Sequence, residues 1–285
     1  MARSPLGRPA TRRTARATAT AALFAGATLT GATAADAAPQ WAPADSASIH
    51  PGVATHTDGG QCTSNFVFRD DTDVYIGQAA HCSSTSGSTS TNGCEAESLP
   101  LGTKVDVEGA SEPGTLVYNS WLAMQQDGET DSDRCSYNDF ALVELDSSDV
   151  DNVNPSVPFW GGPTGLRTTG TTTGDTLVSY GNSSLRLGID LLKPKQGFSL
   201  GSTGHGWNHS AYTLTPGIPG DSGSAFLDEQ GRAVGVLSTL ALAPLPASNG
   251  IGDLAHELDY MRGHTTEFSD VRLVEGTEPF RGPLP

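Results

Sequence analysis

A serine, a histidine and an aspartate stand in three short motifs that together could carry out acyl transfer. A serine hydroxyl is a weak nucleophile until a neutral imidazole accepts its proton, and a carboxylate must fix the tautomer of that imidazole and stabilise its charged form. The sequence therefore predicts Ser222 as nucleophile, His81 as general base and then acid, and Asp139 as the orienting carboxylate. The motifs are Ala-Ala-His-Cys at 79–82, Asn-Asp-Phe-Ala-Leu at 138–142 and Gly-Asp-Ser-Gly-Ser at 220–224.

The order and separation of these motifs resemble those of the chymotrypsin-like (trypsin-like) serine proteases, and most closely the secreted bacterial type. His81 precedes Asp139 by 58 residues, Asp139 precedes Ser222 by 83, and the resemblance extends from about residue 49 to about 262. A lipase-type elbow is excluded, because it requires Gly at position 224 and the chain order Ser, Asp, His. The resemblance implies a serine endopeptidase that hydrolyses peptide bonds through an acyl-enzyme on Ser222, without a metal or cofactor.

Glycines on both sides of Ser222 predict a tight turn that leaves its hydroxyl exposed. Gly220 and Gly223 permit backbone conformations that bulkier residues avoid. The backbone N–H groups of Gly220 and Ser222 are then expected to point at one spot and to form an oxyanion hole. The chain has no clear Ile-Val-Gly-Gly start that would give Asp221 a new N-terminus to pair with. We therefore expect Asp221 to pair with an internal cation or with hydrogen-bond donors.

A substrate-binding edge is implied by the resemblance at Ser238, Thr239 and Leu240. These residues follow a predicted strand after the nucleophile, and a peptide backbone would pair along them by strand addition. Ser238 is also expected to contact Asp139.

Two neighbouring positions bear on side-chain specificity. Leu237 stands where glutamate-specific relatives carry a histidine, and Pro216 stands six residues before Ser222, where trypsin-type members carry an acid. Neither Lys/Arg nor Glu specificity is therefore supported, and we expect a hydrophobic or small side chain before the scissile bond.

Four cysteines predict two disulfides, because the chain also carries an export signal. From the sequence alone three pairings are open. The resemblance selects one, since the family commonly bridges the cysteine beside the catalytic histidine to one about twenty residues upstream. It implies Cys62–Cys82 and leaves Cys94 with Cys135. A zinc site is disfavoured, because no Cys-x-x-Cys pair is present.

The first 38 residues predict a secretory signal peptide. Five arginines precede an Ala/Thr-rich stretch from about 17 to 35, and Ala-Asp-Ala at 35–37 suits cleavage. The Thr and Gly content of the stretch disfavours a membrane anchor. We therefore expect a secreted, extracellular protein that is a monomer and has no membrane association in its mature form. Its partner is expected to be a protein or peptide substrate.

The charge of the chain argues against binding to nucleic acid. The first 38 residues contain five Arg and one Asp, so their removal takes the net charge from −16 to about −20. Such an acidic protein repels phosphates.

Short runs rich in Val, Thr, Tyr and Phe, separated by clusters of Gly, Ser, Asp and Pro, predict an antiparallel all-β fold. Only 253–262 predicts a helix, with Leu254, Leu258 and Met261 on one face. The resemblance implies two antiparallel six-stranded β-barrels with the active site between them and a short C-terminal helix. We expect one barrel at 39–155, with His81 and Asp139, and the other at 156–285, with Ser222, the helix and a loosely held tail from 265.

Two other functions stay open. One is a binding protein on the same fold that has lost catalysis, which the presence of all three triad residue types disfavours. The other is an esterase or amidase for small substrates, because acyl transfer chemistry is common to both. Fold alone does not decide between these activities.

Overall fold

The computed structural model describes residues 39–58, 60–86, 91–241 and 245–284. The predicted signal peptide at 1–38 lies outside the described residues. In the part of the chain that is described, no helix is both long enough and apolar enough to cross a membrane.

Antiparallel strands form most of the structure, as the sequence predicts. The strands are β1 (Ala54–Thr57), β2 (Gly60–Thr63), β3 (Val67–Arg69), β4 (Val74–Gln78), β5 (Lys104–Val107), β6 (Gly114–Asn119), β7 (Ala141–Glu144), β8 (Thr176–Tyr180), β9 (Pro194–Thr203), β10 (Asn208–Thr213), β11 (Ala225–Asp228), β12 (Ala233–Ala241), β13 (Ser248–Asp253) and β14 (Arg272–Leu273). The α-helices of the described residues are α1 (Ser120–Asp127), α2 (Ser132–Tyr137) and α3 (Leu254–His264).

Six strands of the C-terminal half form a closed antiparallel barrel in the order β10-β13-β12-β11-β8-β9. Apolar side chains that alternate along these strands fill its interior, among them Leu177, Phe226, Val234 and Ile251. The expectation of a six-stranded C-terminal barrel is confirmed.

Seven strands of the N-terminal half and β14 from the C-terminal segment form an eight-stranded sheet in the order β14-β3-β4-β7-β6-β5-β1-β2. The strands that the structure describes do not close this sheet, whereas the resemblance implied a closed six-stranded barrel. One physical reason lies at the β2 edge, where the backbone N–H of Thr63 donates to the carbonyl of Ser222 over 2.8 Å. The loop that carries Ser222 therefore satisfies a donor that a closing strand would otherwise take.

The C-terminal segment is held against the rest of the fold, so the expectation of a loosely held tail is wrong. Strand β14 extends the N-terminal sheet by pairing with β3. Further along, the Arg281 N–H donates to the Trp160 carbonyl over 2.8 Å, and the Leu284 N–H donates to the Gln196 side chain over 2.6 Å. The expectation rested on the acidic, Pro- and Gly-containing composition of the segment, which does not indicate backbone hydrogen bonds to distant residues.

The predicted C-terminal helix is confirmed as α3. Asp253 caps it by accepting the backbone N–H of His256 over 2.9 Å. Leu254, Leu258 and Met261 are buried, as the periodicity predicts.

Helices α1 and α2 were not predicted, and the expectation of a single helix is wrong. Helix α1 follows Asn119, whose side-chain oxygen accepts the N–H groups of Trp121 at 2.9 Å and Leu122 at 3.3 Å. Helix α2 carries Cys135, which is bonded to Cys94. These two helices are short, so caps and a disulfide support them more than an apolar stripe does.

Two disulfides are present, with the pairing that the resemblance implied. Cys62 in β2 is joined to Cys82, and Cys94 is joined to Cys135. The first bridge ties the edge strand β2 to the residue that follows His81.

Candidate active site

A cleft with a volume of about 800 Å³ brings together residues of the sheet and residues of the barrel. His81, Asp139 and Ser222 all line it, so the structure places the three predicted triad residues in one cavity.

The position of His81 follows from the pairing of two buried strands. Strand β4 pairs antiparallel with β7, with Gln78 opposite Ala141. The chain leaving β4 therefore lies beside the chain entering β7, which brings His81 next to Asp139. The imidazole Nδ1 lies 2.7 Å from Asp139 Oδ2, and the backbone N–H of His81 donates to Asp139 Oδ1 over 2.9 Å.

Asp139 is a buried carboxylate whose hydrogen-bonding capacity is well used. It is 3% exposed, and besides the two contacts from His81 its Oδ2 accepts the hydroxyl of Ser238 over 2.5 Å. Because a buried unpaired charge is costly, these donors explain how it is accommodated. The predicted contact between Ser238 and Asp139 is present.

Asp139 also sets the protonation of the imidazole. Burial lowers the pKa of His81, but the charge of Asp139 and its hydrogen bond outweigh burial and hold this pKa above 6.5. A proton on Nδ1 that faces Asp139 leaves Nε2 as the acceptor nitrogen of the neutral ring. That arrangement suits a general base.

The loop of Ser222 is anchored to the N-terminal sheet by Thr63. The Thr63 hydroxyl donates to the Gly220 carbonyl over 2.7 Å, and its N–H holds the Ser222 carbonyl. Gly220 and Gly223 have φ values of +94° and +91°. A Cβ at position 223 would lie 2.4 Å from the Thr63 carbonyl oxygen, so this close approach requires glycine.

Two N–H groups in this loop remain without a protein acceptor. Among the residues that the structure describes, neither the Gly220 N–H nor the Ser222 N–H donates a hydrogen bond, whereas the Asp221 N–H bonds to Ile218 and the Gly223 N–H to Leu237. Within the same ranges, Ser222 Oγ makes no hydrogen bond to His81 or to another residue. In unliganded enzymes such contacts are often long and tighten when substrate binds.

Asp221 is completely buried and pairs with two cations, which confirms the expectation of an internal partner. Its Oδ2 accepts from Arg186 Nη2 and, over 3.0 Å, from Lys195 Nζ, and its Oδ1 accepts the Ser183 N–H. Burial raises the pKa of Asp221, but Arg186 and Lys195 outweigh burial and lower it. Burial lowers the pKa of Lys195 to about 8, although Asp221 opposes this shift.

The predicted substrate edge lies at the end of β12. Ser238, Thr239 and Leu240 line the cleft, and Leu240 is 52% exposed. The opposite wall is the segment 217–220, which leads into the Ser222 loop.

Asn249, which sequence reasoning missed, joins these two walls. Its Oδ1 accepts the Gly217 N–H over 2.8 Å, and its Nδ2 donates to the Gly217 and Thr239 carbonyls over 3.3 and 3.2 Å. The amide therefore bridges the two walls of the cleft. A single asparagine in β13 gives no sequence signal for this role, because its partners are distant in the chain.

Trp121 was also missed. Its ring centroid lies 6.3 Å from that of His81, and it lines the cleft from α1. Predicting this contact would have required predicting α1, for which Asn119 as a helix cap is the available signal.

One group near the cleft has the composition of a metal site but not its chemistry. Ligand atoms of Cys62, His81 and Cys82 lie within 4.8 Å of one another. The two sulfurs are joined in a disulfide, so neither can supply the thiolate that binds zinc.

The fold is similar to that of solved bacterial proteases. The structure of Thermobifida fusca Protease A aligns with a TM-score of 0.51 and 17% identity, over 80% of this chain and 99% of that one. Nocardiopsis Protease (NAPase) aligns at 0.47 and 18% identity, over 79% and 98%. Cellulomonas bogoriensis chymotrypsin aligns at 0.47 and 16% identity, over 79% and 98%.

Comparison of the sequence itself gives no match. No family model matches this chain, and no curated protein does. The likeness is therefore one of architecture: the chain has the fold of the bacterial chymotrypsin-like serine proteases.

Proposed function

We propose that this protein is a secreted serine endopeptidase. Ser222 attacks the peptide carbonyl, and His81 takes the proton of the hydroxyl and then delivers it to the leaving amine. Asp139 holds the Nδ1–H tautomer of His81 and stabilises the imidazolium that forms. The resulting acyl-enzyme is hydrolysed by water with His81 again as base, and no metal or cofactor takes part.

The observation that carries this proposal is the environment of the Asp139 carboxylate. It is buried, it receives His81 Nδ1 at 2.7 Å, and it faces the same cleft as Ser222. The backbone N–H groups of Gly220 and Ser222 have no acceptor within the described part of the chain, and they supply donors for the oxyanion of a tetrahedral intermediate. The lapsed-enzyme alternative would not require this combination.

The organisation of the whole chain is part of the proposal. Residues 1–38 direct export, 39–155 supply His81 and Asp139, and 156–285 supply Ser222. We add that residues 272–273 return to the N-terminal sheet. The two disulfides suit an oxidising, extracellular location.

Asn249 supports a preference for a small, uncharged side chain before the scissile bond. A substrate side chain that enters between the segment 217–220 and Thr239 meets the amide that bridges these walls. A carboxamide is uncharged, and the hydrogen bonds that Asn249 makes to Gly217 and Thr239 hold it between the two walls. Bulky or charged side chains would have to displace it.

Replacement of Ser222 tests the chemistry. We expect Ser222→Ala to be exported and folded, with proteolysis lowered by at least 10³-fold. Ser184→Ala is the matched control, because Ser184 is exposed near the cleft and bonds Gln61 through its backbone N–H. Full proteolysis by folded Ser222→Ala would show that the assignment is wrong.

A peptide library tests the specificity. The wild type should favour Ala-sized or small aliphatic residues before the cleaved bond, and Asn249→Ala should shift the preference toward larger apolar residues. If both proteins cleave with the same side-chain preference, Asn249 does not contribute to substrate selection. Hydrolysis of esters without cleavage of any peptide would instead favour the esterase alternative.

A further inference from the structure

A second carboxyl group lies behind Asp139, and the proposed mechanism does not use it. Glu257 on α3 is completely buried. Its Oε1 accepts the backbone N–H of Asp139 over 3.1 Å, across 118 residues of sequence. Its Oε2 is also buried and has no hydrogen-bond partner among the described residues.

The charged groups that act on Glu257 among the described residues are carboxylates. Asp139 and Asp253 are the carboxylates that act on it, and the phenol of Tyr118 on β6 is near enough for Glu257 to influence it. Asp253 is already bonded to His209 and His256.

Within the described ranges Glu257 forms no ion pair. An ionised Glu257 would therefore be a buried, unpaired charge next to a second carboxylate, which is the most unfavourable arrangement for an acid.

We propose that Glu257 is a protonated, uncharged positioning residue that fixes the backbone of Asp139, so that the Asp139 carboxylate is the single negative charge acting on His81 from this side. The inference rests on the proposed function. A neutral carboxyl satisfies the Asp139 N–H as an amide oxygen would, and it leaves the electrostatic balance between Asp139 and His81 undisturbed.

The titration behaviour of Glu257 agrees with this geometry. Burial raises the pKa of Glu257 well above its usual 4.5, the charge of Asp139 raises it further, and the hydrogen bond from the Asp139 N–H opposes them without cancelling them. A group whose pKa is raised on folding contributes stability below its unfolded pKa, and that contribution is lost as the pH rises through the folded pKa. The free energy of unfolding of the wild type should therefore fall as the pH rises through the folded pKa of Glu257.

Two substitutions separate charge from hydrogen bonding. Glu257→Gln is neutral and keeps an acceptor for the Asp139 N–H, whereas Glu257→Leu removes the acceptor. Asp259→Asn is the control, because it removes an exposed carboxylate from the same helix. We expect Glu257→Gln to keep kcat/KM within about twofold of wild type and Glu257→Leu to lose about tenfold in kcat with little change in KM.

The deciding measurement is the pKa of the His81 imidazole, followed by NMR. It should be the same in wild type and Glu257→Gln, because neither carries a charge at position 257. A clear fall of this pKa in Glu257→Gln would show that a negative charge had been removed, and the proposal would be overturned. Equal kcat in wild type and Glu257→Leu would overturn the positioning role.

Thermal unfolding gives a second readout that does not depend on turnover. The Tm of Glu257→Gln minus that of the wild type should increase as the pH rises from about 5 to 10. The same difference for Asp259→Asn should stay constant. An unchanging difference for Glu257→Gln would contradict a neutral, buried Glu257. Both readouts stay valid if Ser222 proves not to be a nucleophile, so failure of this inference is distinguishable from failure of the proposed function.

Discussion

Two carboxylates near the cleft, those of Asp139 and Asp221, are both buried but have different kinds of hydrogen-bond partner. Asp139, two residues before β7, accepts from the imidazole of His81 and the hydroxyl of Ser238. Asp221, inside the Ser222 loop, accepts from the cations Arg186 and Lys195. The His81 imidazole can gain or lose a proton near neutral pH, whereas the guanidinium of Arg186 stays charged and fixes geometry.

This difference indicates two roles: in the proposed function Asp139 acts on the catalytic imidazole, whereas Asp221 stabilises the loop that carries Ser222. The ion cluster of Asp221 ties the Ser222 loop to Arg186 and to Lys195 on β9. Asp139 keeps its charge for the imidazole, with an uncharged Glu257 behind it.

The largest effect is expected at the sheet side of the cleft. Asp139→Asn should lower kcat by about 10³–10⁴-fold, because an amide favours the wrong imidazole tautomer and cannot stabilise the imidazolium. The pKa of His81 should also fall, and with it the midpoint of the acid limb of kcat/KM, which in the wild type should lie above 6.5. Peptide hydrolysis from pH 4 to 9 measures both, and a wild-type limb unchanged by the substitution would contradict the pairing.

The next effect is on stability at the barrel side. Asp221→Asn should lower the free energy of unfolding by about 3–5 kcal/mol, because it leaves two buried cations without their carboxylate. Urea denaturation measures the change. Asp190→Asn serves as the control, since Asp190 pairs with Lys193 at an exposed position and should change stability by less than about 0.5 kcal/mol. Similar values for the two variants would show that the cluster has no structural role.

A smaller effect should appear in the pH dependence of stability. Lys195 has a folded pKa of about 8, below its usual 10.5, so the wild type should gain stability as the pH rises between these values. Lys195→Met lacks this titration, so over that pH window the free energy of unfolding of the wild type should increase by about 1–3 kcal/mol relative to that of Lys195→Met. Unfolding by urea at pH 7 and pH 10 measures the difference. An equal change in the free energy of unfolding of both proteins would show that Lys195 does not titrate in this pH range.

The smallest effect is expected at Ser238. Ser238→Ala removes one donor to Asp139 but leaves His81 in place, so kcat should fall by about two- to tenfold. Initial rates on a peptide substrate measure the fall, with KM nearly constant. A loss as large as that of Asp139→Asn would make Ser238 an equal member of the catalytic group.

The sequence predicted the features that depend on short motifs and on the chemistry of their residues. A serine exposed in a tight turn needs flexible neighbours, and Gly220 and Gly223 have positive φ values that bulkier residues avoid. A catalytic imidazole needs a carboxylate to orient it, and His81 Nδ1 and Asp139 Oδ2 lie 2.7 Å apart. The strand and helix patterns predicted an antiparallel all-β fold and α3, whereas the six-stranded C-terminal barrel was implied by the family resemblance.

What the sequence did not reveal depends on contacts between distant segments. Glu257 meets Asp139 across 118 residues, and Asn249 meets Gly217 across 32. Neither pair leaves a local pattern. The short helix α1 is fixed by its Asn119 cap and by packing, and the C-terminal segment is fixed by backbone hydrogen bonds, which composition does not record.

Labelling with a fluorophosphonate tests the central claim most directly, because it reports an activated serine without needing the natural substrate. We predict that the exported protein is modified on the peptide that contains Ser222, that His81→Ala abolishes this modification, and that Ser184→Ala leaves it unchanged. Absence of labelling in the folded protein, or modification at another serine, would contradict the account.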